Sequence, residues 1–272
     1  AWQGNVRAYN TTPALVWDAI TIAKAGHPAD WKARRIYFSD ASGEVFKVAI
    51  NASTGAITNA SVLKGAGLGA SDGEAERIMQ WLLGKPELGN PAPLMGSITS
   101  STPIVVGQAN LTGQTGSDAY SAATWKRPQL LYVGADDGML HAFFAPASAT
   151  PSFQLGTDTF HAGEEAFAFI PWDMMPVITK LYAQGGQNLS ADQRVDGTTN
   201  DTKAHQNRLA DKGQHVFGLA GSPKIKDVCF SDCSNPAGTG WRTVLVMTEG
   251  PGGNKPFALD ITNVVSEPAF NG

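Results

Sequence analysis

The sequence predicts an all-β protein built of β-propeller blades, in the quinoprotein-like manner, with short helical and loop insertions. Three observations carry this. Glycine (30) and proline (16) are plentiful while charged residues make up only 16% of the 272 residues, a balance that favours many turns over long helices. A hairpin of one design recurs along the chain. A proline-entered strand precedes two of its copies.

The hairpin is an apolar strand, a glycine-containing turn and a strand of alternating character, a pairing signal of short range. One copy is Arg35-Ile36-Tyr37-Phe38 with Gly43-Glu44-Val45-Phe46-Lys47-Val48. Another is Leu130-Leu131-Tyr132-Val133-Gly134 with Gly138-Met139-Leu140-His141-Ala142-Phe143. A third runs from Thr243-Val244-Leu245-Val246-Met247 through Gly250 to Gly253 and into Pro256-Phe257-Ala258-Leu259-Asp260-Ile261. Trp2 to Tyr9 has the character of the second half of a fourth. The leading strands are Ser97 to Val106 and Gly221-Ser222-Pro223-Lys224-Ile225, each entered through proline, which a strand accepts at its first residue.

The whole chain, 1–272, is therefore taken as part of one propeller. It divides into a blade end (1–10), a blade (31–60), a helical insertion (72–84), a blade (97–170), an insertion (171–213) and a blade (220–263). Radial repetition protects sheet edges only when the ring closes. So few blades cannot close it, and the expectation is an incomplete arc that begins inside a unit and continues past Gly272.

The insertion at 72–84 has acids at its front, Ile78, Trp81 and Leu82 on one stripe and Gly84 at its end, the pattern of a short capped helix. The insertion at 171–213 opens with a helical stretch from Ile178 to Tyr182. A long polar stretch from Gln187 to Lys212 follows, and loops of that length are frequent contact surfaces.

Composition excludes several functions. The net charge is −4, and the densest basic spot, Lys32 to Arg35, is too short for a nucleic-acid footprint. No apolar stretch approaches the roughly 20 residues that span a bilayer, so a membrane-spanning chain is not expected. Cys229 and Cys233 close a small disulfide in an oxidising compartment or remain free thiols; zinc would need more Cys and His nearby. Asn-x-Ser/Thr sequons such as those at Asn51, Asn110 and Asn200 carry no weight in a chain rich in these residues.

No hydrolase elbow, His-Glu-x-x-His or phosphate-cradling loop occurs, so no catalytic residue and no cofactor ligand is assigned. Among histidines, His141 lies in an alternating strand and is expected as a satisfied structural side chain. His161, beside Glu164 and Glu165, fits a solvated loop better than a metal ligand. Asp136 and Asp137 are weak metal candidates, because Asp136-Asp137-Gly138 is first of all a turn and lacks the alternating oxygen spacing of a calcium loop.

The segment Leu131-Tyr132-Val133-Gly134-Ala135-Asp136-Asp137-Gly138-Met139-Leu140-His141-Ala142-Phe143 resembles the "Y-V-G-A-N-D-G-M-L-H-A-F" hairpin of the PilC/PilY-type family of type IV pilus biogenesis proteins and tip adhesins. Glu165-Ala166-Phe167-Ala168-Phe169-Ile170-Pro171, Gly221-Ser222-Pro223, Trp241 to Val246 and Phe257 to Thr262 follow in the family's order, and Trp2 to Tyr9 and Ile98 to Gly107 precede them. Departures are Asp136 for Asn, Gly96-Ser97-Ile98 for "G-D-I", and Met247-Thr248-Glu249-Gly250-Pro251-Gly252-Gly253 where the family has "G-G-L-G-A-G-G".

The resemblance implies a non-enzymatic module of fimbrium biogenesis and twitching motility. It would be exported through the periplasm to the cell surface or pilus tip, and its partners would be minor pilins and a host or abiotic surface. It also implies a calcium site further downstream in the propeller, and no cofactor in this segment. The rival is a periplasmic quinoprotein dehydrogenase, since Ala49-Ile50-Asn51-Ala52-Ser53-Thr54-Gly55 resembles a blade signature of those enzymes; they need adjacent cysteines, whereas Cys229 and Cys233 are separated. A third reading is a structural subunit of a cell-surface filament.

Overall fold

A computed structural model of the chain describes residues 4–24, 30–88, 94–147, 152–155, 158–185 and 216–263. Among them β-sheet predominates, in several sheets of which none closes on itself.

The largest sheet has six strands. β3 (Ile36–Ser39) and β4 (Val45–Lys47) form the first hairpin, β6 (Leu130–Gly134) and β7 (Leu140–Phe144) the second. β5 (Ile104–Val106), the proline-led strand, lies against β6, and β10 (Glu165–Ile170) joins the hairpins in the order β4-β3-β10-β7-β6-β5. All pairs are antiparallel except β3 with β10, where Ile36, Tyr37 and Phe38 run parallel to Ala168, Phe169 and Ile170. Strands from the stretches 31–60 and 97–170 thus share one sheet, whereas a simple blade is a four-stranded antiparallel one. The connection between β3 and β10 is long enough to return the chain in the same direction, which a tight hairpin cannot do.

A second sheet repeats the strand-plus-hairpin unit: β11 (Lys224–Cys229), β12 (Trp241–Thr248) and β13 (Pro256–Asp260), antiparallel in that order. At the start of the chain β1 (Arg7–Tyr9) pairs with β2 (Leu15–Asp18), so the segment expected as the second half of a hairpin is the first strand of one. β8 (Ser152–Leu155) and β9 (Asp158–His161) form a small ribbon.

Among the described residues five α-helices accompany the strands: α1 (Ala19–Lys24), α2 (Ala60–Gly65), α3 (Asp72–Leu83), α4 (Ser117–Ala123) and α5 (Met175–Gly185). α3 is the stretch with acids in front and glycine behind. The Ser71 side chain accepts a hydrogen bond from the Glu74 amide at 3.2 Å, Asp72 and Glu74 stand in the first turn, and Gly84 ends the helix at φ 93°, in the left-handed region glycine favours. α5 exceeds its predicted core of Ile178 to Tyr182 at both ends, and the polar stretch after it lies outside the described residues.

Both faces of the six-stranded sheet are covered. Along β3, Ile36 and Phe38 face one way and Tyr37 the other; along β10, Ala168 and Ile170 oppose Phe167 and Phe169. The first face packs on α2, α3 and α5 through Leu63, Ile78, Met79, Met175, Ile178 and Tyr182. Its continuation under β6 and β7 meets Val6, Trp17 and Met95. The second face meets Leu245, Met247 and Leu259 of the three-stranded sheet. Strands buried on both sides appear in sequence as near-continuous apolar runs, which is why the β6–β7 hairpin stood out by its pattern.

Candidate functional site

Between the helices and the first sheet face runs a chain of four charged side chains, three of them buried. Arg34, at the entry to β3, holds Glu165 at the start of β10 through two bonds, Nε to Oε2 at 2.8 Å and Nη2 to Oε1 at 2.9 Å. His141 on β7 sits 2.7 Å from Glu165 Oε1 through Nδ1 and 3.1 Å from Asp137 Oδ2 through Nε2. Arg34 also donates to the carbonyls of Leu82 and Leu94, each at 3.0 Å, which ties the end of α3 into the network.

Burial opposes the charged form of His141, but Asp137 and Glu165 outweigh it and raise its pKa to about 9. Burial likewise opposes the Glu165 carboxylate, and Arg34 with His141 outweighs it, lowering the pKa to about 2. The four charges thus alternate and sum to zero at neutral pH. The stability His141 adds is complete below its ordinary value of 6.5 and is lost as pH rises through about 9. That of Glu165 is complete above its ordinary 4.5 and is lost as pH falls through about 2. We therefore expect a stability plateau between about pH 4.5 and 6.5 from this network, checked by midpoint denaturant concentration against pH.

His141 is thus a fully satisfied buried side chain. The spacing of Asp137 and His141, four residues across a tight turn, was a local signal for half of the network. Arg34 and Glu165 are 131 residues apart, and nothing local joins them.

Asp136 and Asp137 face different protein donors. The Asp136 carboxylate accepts from the hydroxyls of Ser97 and Thr99 and from the Gly218 amide at 3.3 Å, linking the two large sheets. Asp137 accepts from the Gly96 amide at 2.6 Å and the Met139 amide at 3.1 Å. Gly138 completes the turn at φ 87°, where a Cβ would also lie 2.8 Å from Ile178. Among the described residues no group of three or more His, Cys, Asp or Glu side chains gathers into a metal-sized cluster. His161 is exposed. Glu164 accepts its backbone amide at 2.8 Å, and Glu165 turns away to Arg34.

A cleft of about 350 Å³ lies where the two large sheets meet, between the β3–β4 turn, the end of β10 and β13. Phe169 and Phe257 give it an apolar floor, their rings 5.7 Å apart. Ser39 and Ser42 bring hydroxyls, and Asp173 and Lys255 bring charge. The Lys255 ammonium stands 4.0 Å over the Trp172 ring. Ser39 Oγ fixes the start of the Trp172 turn by accepting its amide at 3.1 Å. Such a mixture of aromatic surface and few polar groups suits contact with a ligand or a partner side chain.

Cys229 and Cys233 are joined in a disulfide at the end of β11, and the closed loop carries Phe230 at its tip, 69% exposed. The ring is small, so the entropy it removes from the unfolded chain is worth about 2 kcal/mol at most. Replacing both cysteines by serine should lower the unfolding free energy by no more than that, a result checked by denaturant titration without reductant.

These features sit in a chain whose curated homologues are type IV pilus biogenesis factors. The PilY1 homologue of Xylella fastidiosa (strain Temecula1) is 32% identical over 178 residues, covering 62% of this chain and 11% of the relative. PilY1 of Pseudomonas aeruginosa (strain PAO1) is 30% identical over 178 residues, with the same coverage. The chain therefore spans about a tenth of the length of these relatives. Among solved structures, the Pseudomonas aeruginosa PilY1 C-terminal domain matches 58% of this chain with 22% of its own at 26% identity; at a TM-score of 0.29 it carries no argument about the fold. No family model matches the chain. Among the described residues no helix is long and apolar enough to cross a membrane.

Proposed function

We propose that this chain is a non-enzymatic segment of a type IV pilus biogenesis factor, an arc of β-propeller that acts by binding rather than by catalysis. The observation that carries the reading is the 178-residue likeness to two PilY1 factors, which are named for pilus biogenesis. The three-stranded units β5-β6-β7 and β11-β12-β13, each a proline-led strand followed by a hairpin, support a repeating blade. In the complete protein the chain works at the cell surface or pilus tip with minor pilins and an external surface, and calcium belongs to another part of the molecule.

The quinoprotein reading loses support because Cys229 and Cys233 are committed to one disulfide four residues apart, a poor platform for a quinone. Exposed aromatics such as Trp125 (62%) and Phe230 (69%) favour contact with a partner. Removing residues 1–272 in frame from the full-length protein should abolish or strongly reduce surface pili, twitching and adhesion, scored by sheared-pilin yield and motility zones. Unchanged piliation and motility would overturn the assignment.

A further inference from the structure

The three-stranded sheet has one edge that is built to take another strand. Its β12–β13 ladder is fixed by the Ile261 amide donating to the Thr243 carbonyl at 2.9 Å and the Glu249 amide donating to the Lys255 carbonyl at 3.3 Å. Odd-numbered residues of β13 therefore exchange the bonds with β12. Ala258 and Asp260, opposite Val246 and Val244, turn their N–H and C=O groups away from it. β13 ends the order β11-β12-β13, so among the described residues no strand lies on that side. An unpaired edge of this kind is a template for a further strand. Pro256 lacks an N–H, and beyond Asp260 the chain turns, its carboxylate accepting the Thr262 amide at 2.9 Å, so the template is confined to 256–260.

The same edge opens on the cleft, which Ala258, Leu259 and Asp260 line together with Phe169, Phe257 and Val45. Side chains of a strand added beside β13 would alternate between the two faces of the sheet. Those on the inner face, beside Phe257 and Leu259, would enter the cleft over its aromatic floor. Those on the outer face would lie beside Ala258 and Val246, the latter 45% exposed. Charge in the cleft favours an uncharged occupant. Asp260 is already paired with Arg242 at 3.4 Å, which leaves Asp173 and Lys255 as the lining charges, one of each sign.

We propose that β13 and the cleft form an acceptor groove for an extended segment of a partner protein, uncharged along its length and apolar at alternate positions. The backbone of that segment bonds to Ala258 and Asp260, and its apolar side chains fill the cleft. An extended peptide is the ligand whose donors and acceptors recur at the spacing these two residues present. So short an edge makes the contact reversible and leaves its selectivity to the side chains in the cleft. The inference gives a contact chemistry to the binding module proposed above and rests on that reading for its setting alone. The groove is tested on purified protein, the assignment by piliation.

The test uses the full-length protein and fluorescent hexapeptides of alternating threonine and valine, blocked at both ends, with binding followed by anisotropy. Saturable binding is expected, together with a gain of exchange protection in 256–260. Ala258→Pro removes the Ala258 N–H from the free edge without touching the β12–β13 bonds, and should weaken binding by about tenfold or more. Methylating the amides of all the threonines, or of all the valines, is a second measurement that needs no protein variant. One pattern should abolish binding and the other should be tolerated, because alternate amides of a strand point to opposite sides.

Absence of saturable binding, equal effects of the two methylation patterns, or unchanged binding by a folded Ala258→Pro variant overturns the groove. So does slow exchange of the Ala258 and Asp260 amides in the monomer without peptide, which would place a strand of the same chain on the edge. Concentration-dependent self-association that Ala258→Pro abolishes would place a second copy there and likewise overturn it. If Ala258→Pro does not fold, the two methylation patterns decide.

Discussion

Arg34→Ala should destabilise the protein by about 3–5 kcal/mol, because it strips a buried ion pair of one partner and leaves the other. The lone charge would be Glu165, whose side chain is 1% exposed and whose remaining partner is His141. Two more acceptors lose their donor in the same step, the carbonyls of Leu82 and Leu94. The loss should appear as a lower midpoint in urea with an unchanged slope, since the surface exposed on unfolding is nearly the same.

A second signature separates this from simple loss of packing. With Arg34 gone, the Glu165 carboxylate has lost the charge whose attraction is the largest single cause holding its pKa down. Its protonation therefore moves upward, and the acid limb of the stability profile should begin at higher pH than in wild type. The double variant Arg34→Met with Glu165→Gln should recover part of the loss, because apolar or neutral groups of similar shape do not strand a charge. A loss below about 1 kcal/mol for Arg34→Ala would mean that water or a rearranged side chain takes over its role.

The elements legible in the sequence are those whose information is local. The hairpins β3–β4, β6–β7 and β12–β13 show a period of two and glycine turns, and α3 shows a serine cap, early acids and Gly84. What the sequence hides is the partner of each piece. β10 is an apolar run like its neighbours, and no feature of Glu165 to Ile170 tells that it pairs parallel with β3, some 130 residues earlier. The same distance hides Arg34 from Glu165. Asp136 and Asp137 illustrate the converse, since a local motif suggestive of cation ligands has its oxygens occupied by hydroxyls and amides from two other segments, 96–99 and Gly218.

Trp81→Ala should cost about 3–5 kcal/mol, the range for removing a large aromatic from a packed core. Trp81 is 5% exposed on α3, and its ring meets that of Tyr182 on α5 edge to face with centroids 5.4 Å apart. α3 and α5 touch the same sheet face, so Trp81 bridges two helices as well as filling space beside Leu82 and Ile78. A cavity there cannot be filled by sliding α3. Its N-terminus is fixed by Ser71 and its C-terminus by the Arg34 bond to Leu82. The loss should therefore be local in its first expression. Exchange protection in 72–83 and 175–183 should fall by more than that in β11 to β13, which pack on the opposite face through Leu245, Met247 and Leu259. If protection instead fell equally everywhere, the two faces of the six-stranded sheet would form one cooperative unit.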